Sequence, residues 1–516
     1  MENRVPVGTI ARPGERGIFY LRRKLLIQET LPLLLLTLTA VLVMGYHPGF
    51  EDDEVYLTAV KADLNPALYP HDSAFFRVQM QASIFDTAMA HFVRWTHVPL
   101  AWAELLWQFA ALFFILWACR KIAAQLFAET RAQWAAVAMV AAMFTLPVAG
   151  TALNIADQHL HPRNLATALI LIAVAWILED RTRLWRVAPL LLAAFLLHPL
   201  MAALGASFCA FLLWAITPRT VRPIPLAASR PLAIAAPLGW LFAPGDSNWR
   251  QALASKPYYS IYQWAWYEWL GALAPLLLFW LLWRVAGRSG KAESQLARFA
   301  LAVFGYGVFQ QTVAMILLGP ASLVRLTPLQ PMRFLQLVYL FMALVAGGML
   351  GRFVLKRHIL RWAAYLLLIN GSMFLVQWEL IDCGAHLELP GRQSANPWVQ
   401  AFDWIQENTP ADAYFALDPQ YLAAPGEGYR GFRAIAERSR LSDGVKDTSV
   451  VTQVPSLAPI WREQQLAQAG WARFQRADFD RLKTQFGVDW VVVSLPQAPG
   501  LDCRWHNDAL AVCRVP

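Results

Sequence analysis

Phe50-Glu51-Asp52-Asp53-Glu54-Val55-Tyr56 stands in a polar stretch, residues 46–99, between the first two long apolar segments of the chain. Crowded carboxylates disfavour one another's ionisation. Such a run therefore suits a solvated helix start, where negative charge meets the positive end of the helix dipole, or a site that uses a carboxylate near neutral pH. Both readings stay open until the flanking segments are placed.

The 516 residues are 57% apolar with a mean hydropathy of +0.38, and the apolar residues recur in runs of about 17–25, the length that crosses a bilayer as helix. A polytopic, mainly α-helical membrane protein follows. The 23 tryptophans suit many segment ends at the headgroup level. The formal charge of +9 resides in short loops between apolar runs. No basic stripe interleaved with aromatics is present, which argues against nucleic acid as a partner.

Residues 1–24 carry Arg4, Arg12, Arg16, Arg22, Arg23 and Lys24 and lead into an apolar run without a small-residue cleavage site, as in a retained first helix with a cytoplasmic amino terminus. Apolar runs predict helices near 25–45, 100–118, 132–149, 163–178, 187–197, 200–216, 226–243, 268–284, 296–318, 333–350 and 359–378. That makes about eleven transmembrane or half-spanning helices within residues 25–380. Basic residues fall in alternate loops, so the positive-inside rule places the amino terminus inside and residues 381–516 outside the cytoplasmic membrane of a bacterium. A single crossing between Arg186 and Arg219 would break that rule. A division at His198-Pro199 restores it, since proline removes a backbone donor, and His198 then lines a polar cavity. A kink in one tilted helix is the other reading of the same residues.

In the 46–99 loop, Glu54–Leu64 is expected as a short helix and Leu68-Tyr69-Pro70-His71-Asp72 as a turn. Phe76, Met80, Ile84, Ala88 and Phe92 fall on one face of a second helix lying along the outer surface. The next outer loop, Asn154–Asn164, holds Asp157, His159 and His161, which could ligate a divalent metal, the only cofactor the sequence suggests. It also holds Arg163, whose guanidinium matches phosphate oxygens. A plain interfacial polar turn explains the loop equally well. Arg325 and Arg333 lie on the outer side, against the positive-inside tendency, and suit either an anionic lipid headgroup or interfacial snorkelling.

From about residue 381 the composition becomes that of a soluble domain. Helices at Pro397–Asn408 and Gln475–Phe486 alternate with apolar strands at Ala413–Leu417 and Gly487–Ser494, which predicts a small α/β domain. Cys503 and Cys513 flank an expected terminal hairpin and suit a disulfide if the domain is extracytoplasmic, leaving Cys383 unpaired.

The succession of inner terminus, one helix, acidic outer loop, many crossings and soluble outer domain resembles the GT-C superfamily of polyprenyl-phosphate-dependent glycosyltransferases. Asp53-Glu54-Val55-Tyr56 is similar to that family's first-loop acidic motif, and Asp157 occupies the place of its second-loop acid. Trp404–Pro410 and Phe432–Arg438 resemble segments of the soluble domain in such proteins. The resemblance implies transfer of a sugar from a polyprenyl-phosphate donor, with membrane lipids as surroundings. Asp53, then Asp52 and Glu54, are the catalytic candidates, and Arg163, His198, Arg325, Arg333, Tyr56 and His71 the substrate-binding ones. The same architecture also fits a non-catalytic scaffold or lipid-carrier-binding protein. A secondary transporter fits less well, because ionisable or strongly polar residues inside the spans reduce to Glu29, Glu104, Gln310, Gln311 and the His198 turn, and no inverted repeat is visible.

Overall fold

The computed structural model describes residues 15–217, 245–286, 295–381, 384–496 and 500–516. The expected span at 226–243, the basic residues at positions 4, 12 and 219, and Cys383 lie outside the described residues. The chain opens with α1 (Glu15–Met44), a short 3-10 turn (Glu51–Glu54) and α2 (Tyr56–Leu64). The helices α3 (Ala74–Met80), α4 (Phe85–Thr96), α5 (Leu100–Leu126), α6 (Thr130–Ala142), α7 (Pro162–Glu179), α8 (Val187–Leu197) and α9 (Pro199–Ile216) follow. After them come α10 (Ser247–Ala254), α11 (Trp266–Ala286), α12 (Gln295–Leu318), α13 (Leu335–Leu350) and α14 (Ile359–Leu380). Among the described residues, seven helical segments are long and apolar enough to cross a membrane, and two shorter apolar helices accompany them.

The bundle is held by close backbone approach as well as by apolar burial. Along the α6–α13 seam Ala135 and Ala136 face Gly347, where an added Cβ would stand 2.5 Å from the Ala135 carbonyl. Small residues at such crossings let helices gain van der Waals contact where no hydrophobic driving force separates lipid from protein. Arg120 of α5 is bonded to Glu29 of α1, whose carboxylate accepts from it at 2.8 Å.

The chain breaks at His198, which is extended (φ −154°, ψ 90°), and Pro199 begins α9 where its missing donor is harmless. The surface helix expected from Phe76 to Phe92 divides into α3 and α4. The division has a cause: Ser83 Oγ and Ile84 N donate to the Leu197 and Leu196 carbonyls at the end of α8. These bonds satisfy acceptors that a helix end leaves open, and α3 turns inward with Phe76 and Met80 buried.

The carboxy-terminal region forms α15 (Pro397–Asn408), α16 (Phe432–Ala436), α17 (Lys446–Gln453), α18 (Ala458–Ala467) and α19 (Arg476–Phe486) around a five-stranded mixed sheet. The strands are β1 (Tyr414–Ala416), β2 (Ser439–Arg440), β3 (Trp490–Ser494), β4 (Asp502–His506) and β5 (Leu510–Arg514), in the order β2-β1-β3-β5-β4. The first three run parallel, and the terminal hairpin joins antiparallel. Cys503 and Cys513 are bonded across that hairpin.

Candidate functional site

The segment after α1 is stitched to the carboxy-terminal domain by backbone. Tyr46 bridges Leu387, Phe50 bridges Arg430, Gly431 N donates to Gly49 O at 2.8 Å, and Glu51 N donates to Tyr429 O at 2.8 Å. The acids that follow lie in a 3-10 turn, where successive side chains diverge by about 120°. Glu51, Asp52, Asp53 and Glu54 therefore do not share an environment.

Glu54 is fully buried and points into the domain. One oxygen accepts from Arg440 Nη2 at 2.6 Å, Arg440 Nε at 3.0 Å and Arg433 Nη1 at 3.1 Å, and the other accepts from Arg433 N at 2.9 Å. Asp447 binds the same two arginines, Asp72 binds Arg433, and Asp443 binds Arg440. Glu54, one of the catalytic candidates of the sequence, is thereby placed apart from Asp52. Its carboxylate is committed to fixing the loop on the domain and opens onto no cavity wall in common with Asp52.

Asp53 turns to the other side. Its Oδ2 accepts from Gly49 N at 2.8 Å, and it shares a hydrogen bond with Glu104 of α5. Burial, then the Glu104 carboxylate, pushes Asp53 well above the usual carboxylate range. Two adjacent carboxyls of this kind share a proton.

Asp52 faces a cavity of about 300 Å³ at the junction of bundle and domain, together with Glu51, Tyr56, His161, Lys256, Arg333 and Lys446. Lys446, the first residue of α17, donates to Asp52 Oδ1 at 2.9 Å and also to Glu51. Burial works to raise Asp52, but Lys446 and then His161 outweigh it and hold the carboxyl well below its ordinary range. Asp52 is thus an ionised acceptor at neutral pH.

His161 caps α7: its Nδ1 accepts from Arg163 N at 2.9 Å. That fixes the proton on Nε2, which lies 3.3 Å from Asp52 Oδ2. His198 caps α9 through Nδ1 in the same manner, with its ring centroid 6.1 Å from that of His161. Tyr56 packs edge-on against His161 at 4.7 Å.

The expected metal set of Asp157, His159 and His161 is not a ligand cluster, and among the described residues no group of three such side chains is placed to hold a metal. Asp157 has both oxygens on the Arg163 guanidinium, Oδ2 at 3.1 Å from Nε. Despite burial, Arg163 holds it down to about 2. His161 has both ring nitrogens engaged. His159 is buried, without a hydrogen-bond partner for either nitrogen, and pushed down by burial to about 3, so it is neutral.

Arg163 therefore reaches the site by way of Asp157 and His161. Its Nη1 is buried and unpartnered. Arg333 lines the cavity from the 3-10 turn before α13, and its Nε is likewise buried without a partner. Lys256 donates to Val445 O at 2.7 Å, and burial, then Lys446, lowers it to about 8. The walls thus carry three cations, Lys256, Arg333 and Lys446, against Glu51 and Asp52. This arrangement can bind an anion beside a carboxylate able to accept from a hydroxyl.

His71 lies elsewhere: it stacks on Tyr414 at 4.5 Å, with Nε2 3.2 Å from the Asp412 carbonyl. Arg325 is not among the residues of the cavity wall. Lys256 and Lys446 were not among the sequence candidates. The only available signal was for Lys256, a lysine in a loop that the positive-inside rule assigns to the side expected to hold few. No family model and no curated protein sequence matches this chain.

Proposed function

We propose that this chain is a membrane glycosyltransferase of GT-C type, moving a sugar from a polyprenyl-phosphate donor to an acceptor at the outer face of a bacterial cytoplasmic membrane. The observation that carries the reading is the convergence on one cavity of a first-loop carboxylate, a second-loop histidine and three cations from separate parts of the chain. Departure of a sugar from a lipid phosphate develops negative charge on the phosphate oxygens. Arg333, Lys256 and Lys446 are placed to stabilise that charge. Asp52, oriented by His161, receives or aligns the acceptor hydroxyl. It replaces Asp53 in this role, because Asp53 faces away from the cations.

The test uses the full chain in lipid nanodiscs with a panel of farnesyl-phosphate-linked hexoses and pentoses and a set of hydroxyl-bearing acceptors (glycolipid, oligosaccharide and Ser/Thr peptide), measuring release of farnesyl phosphate as the sugar passes to the acceptor oxygen. Asp52→Asn should lower the rate by about 10²–10⁴-fold while the protein remains folded. A wild-type chain that consumes no donor of the panel, or an Asp52→Asn chain of full activity, sinks the reading.

A second reading, a non-catalytic protein that binds lipid carriers, draws on one observation: Lys446 already occupies Asp52. In that case the wild type binds the phosphate-linked lipids without turnover.

A further inference from the structure

Asp52 and Asp53 are consecutive, yet they face different cavities. The Asp53 side opens, through Glu104, onto a cavity of about 400 Å³ bounded by α2, the start of α5, the 388–394 segment, α15 and α16. One part of its wall is apolar, formed by Leu57, Leu100, Val399 and Ile435. The other part is acidic. Glu388 is matched by Arg430 at 2.6 Å and Glu437 by Lys61 at 2.7 Å. Among the described residues, Glu104, backed by Asp53, and Asp403 have no salt bridge of their own; the nearby cations of the wall are Arg392 and Lys61, and Lys61 is already bonded to Glu437.

Glu104 gives the cavity its chemistry. It is 3% exposed, and its Oε1 has no hydrogen-bond donor, although the carboxyl shares a hydrogen bond with Asp53. A buried acceptor without a donor is costly to leave unmet. The excess of carboxylates makes a cationic donor the group that best answers it. A hydroxyl would supply a hydrogen bond but no charge, and an anion would meet like charge.

We propose that this cavity is a second ligand site, taking a primary ammonium carried on an apolar body. The ammonium sits at Glu104 and Asp403, and the apolar body lies along Leu57, Leu100, Val399 and Ile435. The site is separate from the cationic cavity and does not depend on the transfer reaction.

The probe is phenethylamine, a cation at neutral pH, with 2-phenylethanol as its uncharged counterpart, titrated calorimetrically into the full chain in nanodiscs. Phenethylamine should bind saturably, and 2-phenylethanol about tenfold more weakly or less. Glu104→Gln, which keeps a hydrogen bond to Asp53, should weaken the amine by about tenfold. Ala101→Trp fills the cavity from an exposed position on its wall while keeping every carboxylate of the wall, and should remove binding. It also decides the matter if Glu104→Gln fails to fold. Absence of saturable amine binding in the wild type, equal affinity for the alcohol, or unchanged affinity in either folded variant overturns the proposal.

Discussion

Arg433→Met is the most informative perturbation of the junction between loop and domain. The Arg433 side chain is completely buried. It donates to Asp72, to Glu54 Oε1 at 3.1 Å, and to both oxygens of Asp447 at 2.9 and 3.0 Å. Methionine fills much of the volume but leaves Glu54, Asp72, Asp443 and Asp447 facing Arg440 alone. Removing one partner of a buried pair costs about 3–5 kcal/mol, because the surviving charge stays out of water. The expected result is a fall in the thermal midpoint of the purified chain by about 10 °C. It can be followed by a thiol-reactive dye on the buried Cys119 and Cys209.

The pH dependence has a definite sign. In the wild type, burial would raise Asp447, but Arg433 and then Arg440 hold it below its ordinary value. It therefore contributes stability above the unfolded pKa of about 3.9, lost as pH falls through the folded value. Without Arg433 the folded value rises, and protonation relieves the variant, so the gap between the two proteins should narrow from pH 7 towards about 5. A midpoint within about 2 °C of wild type at pH 7, or a gap that widens on acidification, refutes the reasoning.

Three further outcomes are expected. Lys446→Met removes the leading cation that holds Asp52 low, so the acid limb of the transfer rate should move to higher pH, and Lys446→Arg should return it. Asp53→Asn keeps an acceptor for Gly49 N and can donate to Glu104, so transfer should stay near the wild-type rate in the nanodisc assay. Gly431→Ala places a Cβ 2.6 Å from Glu54 Oε2 and 3.0 Å from Glu54 Cβ. Denaturant melts should show a loss of about 1–3 kcal/mol.

Much of the architecture is legible in the sequence because its signals are local. Apolar run length marks the spans, and His198-Pro199 marks the break between α8 and α9. Alternating helix and strand patterns mark the mixed sheet, with α15 and α19 where periodicity puts them. The division of the 76–92 helix was not legible, since it depends on carbonyls at the end of α8, more than a hundred residues away.

The site divides in the same way. Asp52, His161, Tyr56 and Arg333 were found by residue type and loop position, and they do meet in one cavity. The separate fates of Asp52, Asp53 and Glu54 were hidden, because a 3-10 turn and an α-turn send the same residues to different sides. Lys446 gave no sign at all. Its neighbours Val445 and Asp447 form no motif, and α17 is brought to the cavity by contacts distant in sequence: the buried arginines around Glu54, the bond from Lys256 to Val445 O and the bond from Trp249 to Thr452 O.

Those arginines also impose a schedule on synthesis. Glu54 and Arg440 are 386 residues apart, and a chain growing at about 5–20 residues per second needs roughly 20–80 s to cover that distance. For that interval Glu54 and Asp72 lack their arginines, and Glu51 and Asp52 lack Lys446, so these carboxylates must remain hydrated. A nascent chain arrested before residue 433 should therefore expose the 51–72 loop to protease, whereas the finished one shields it.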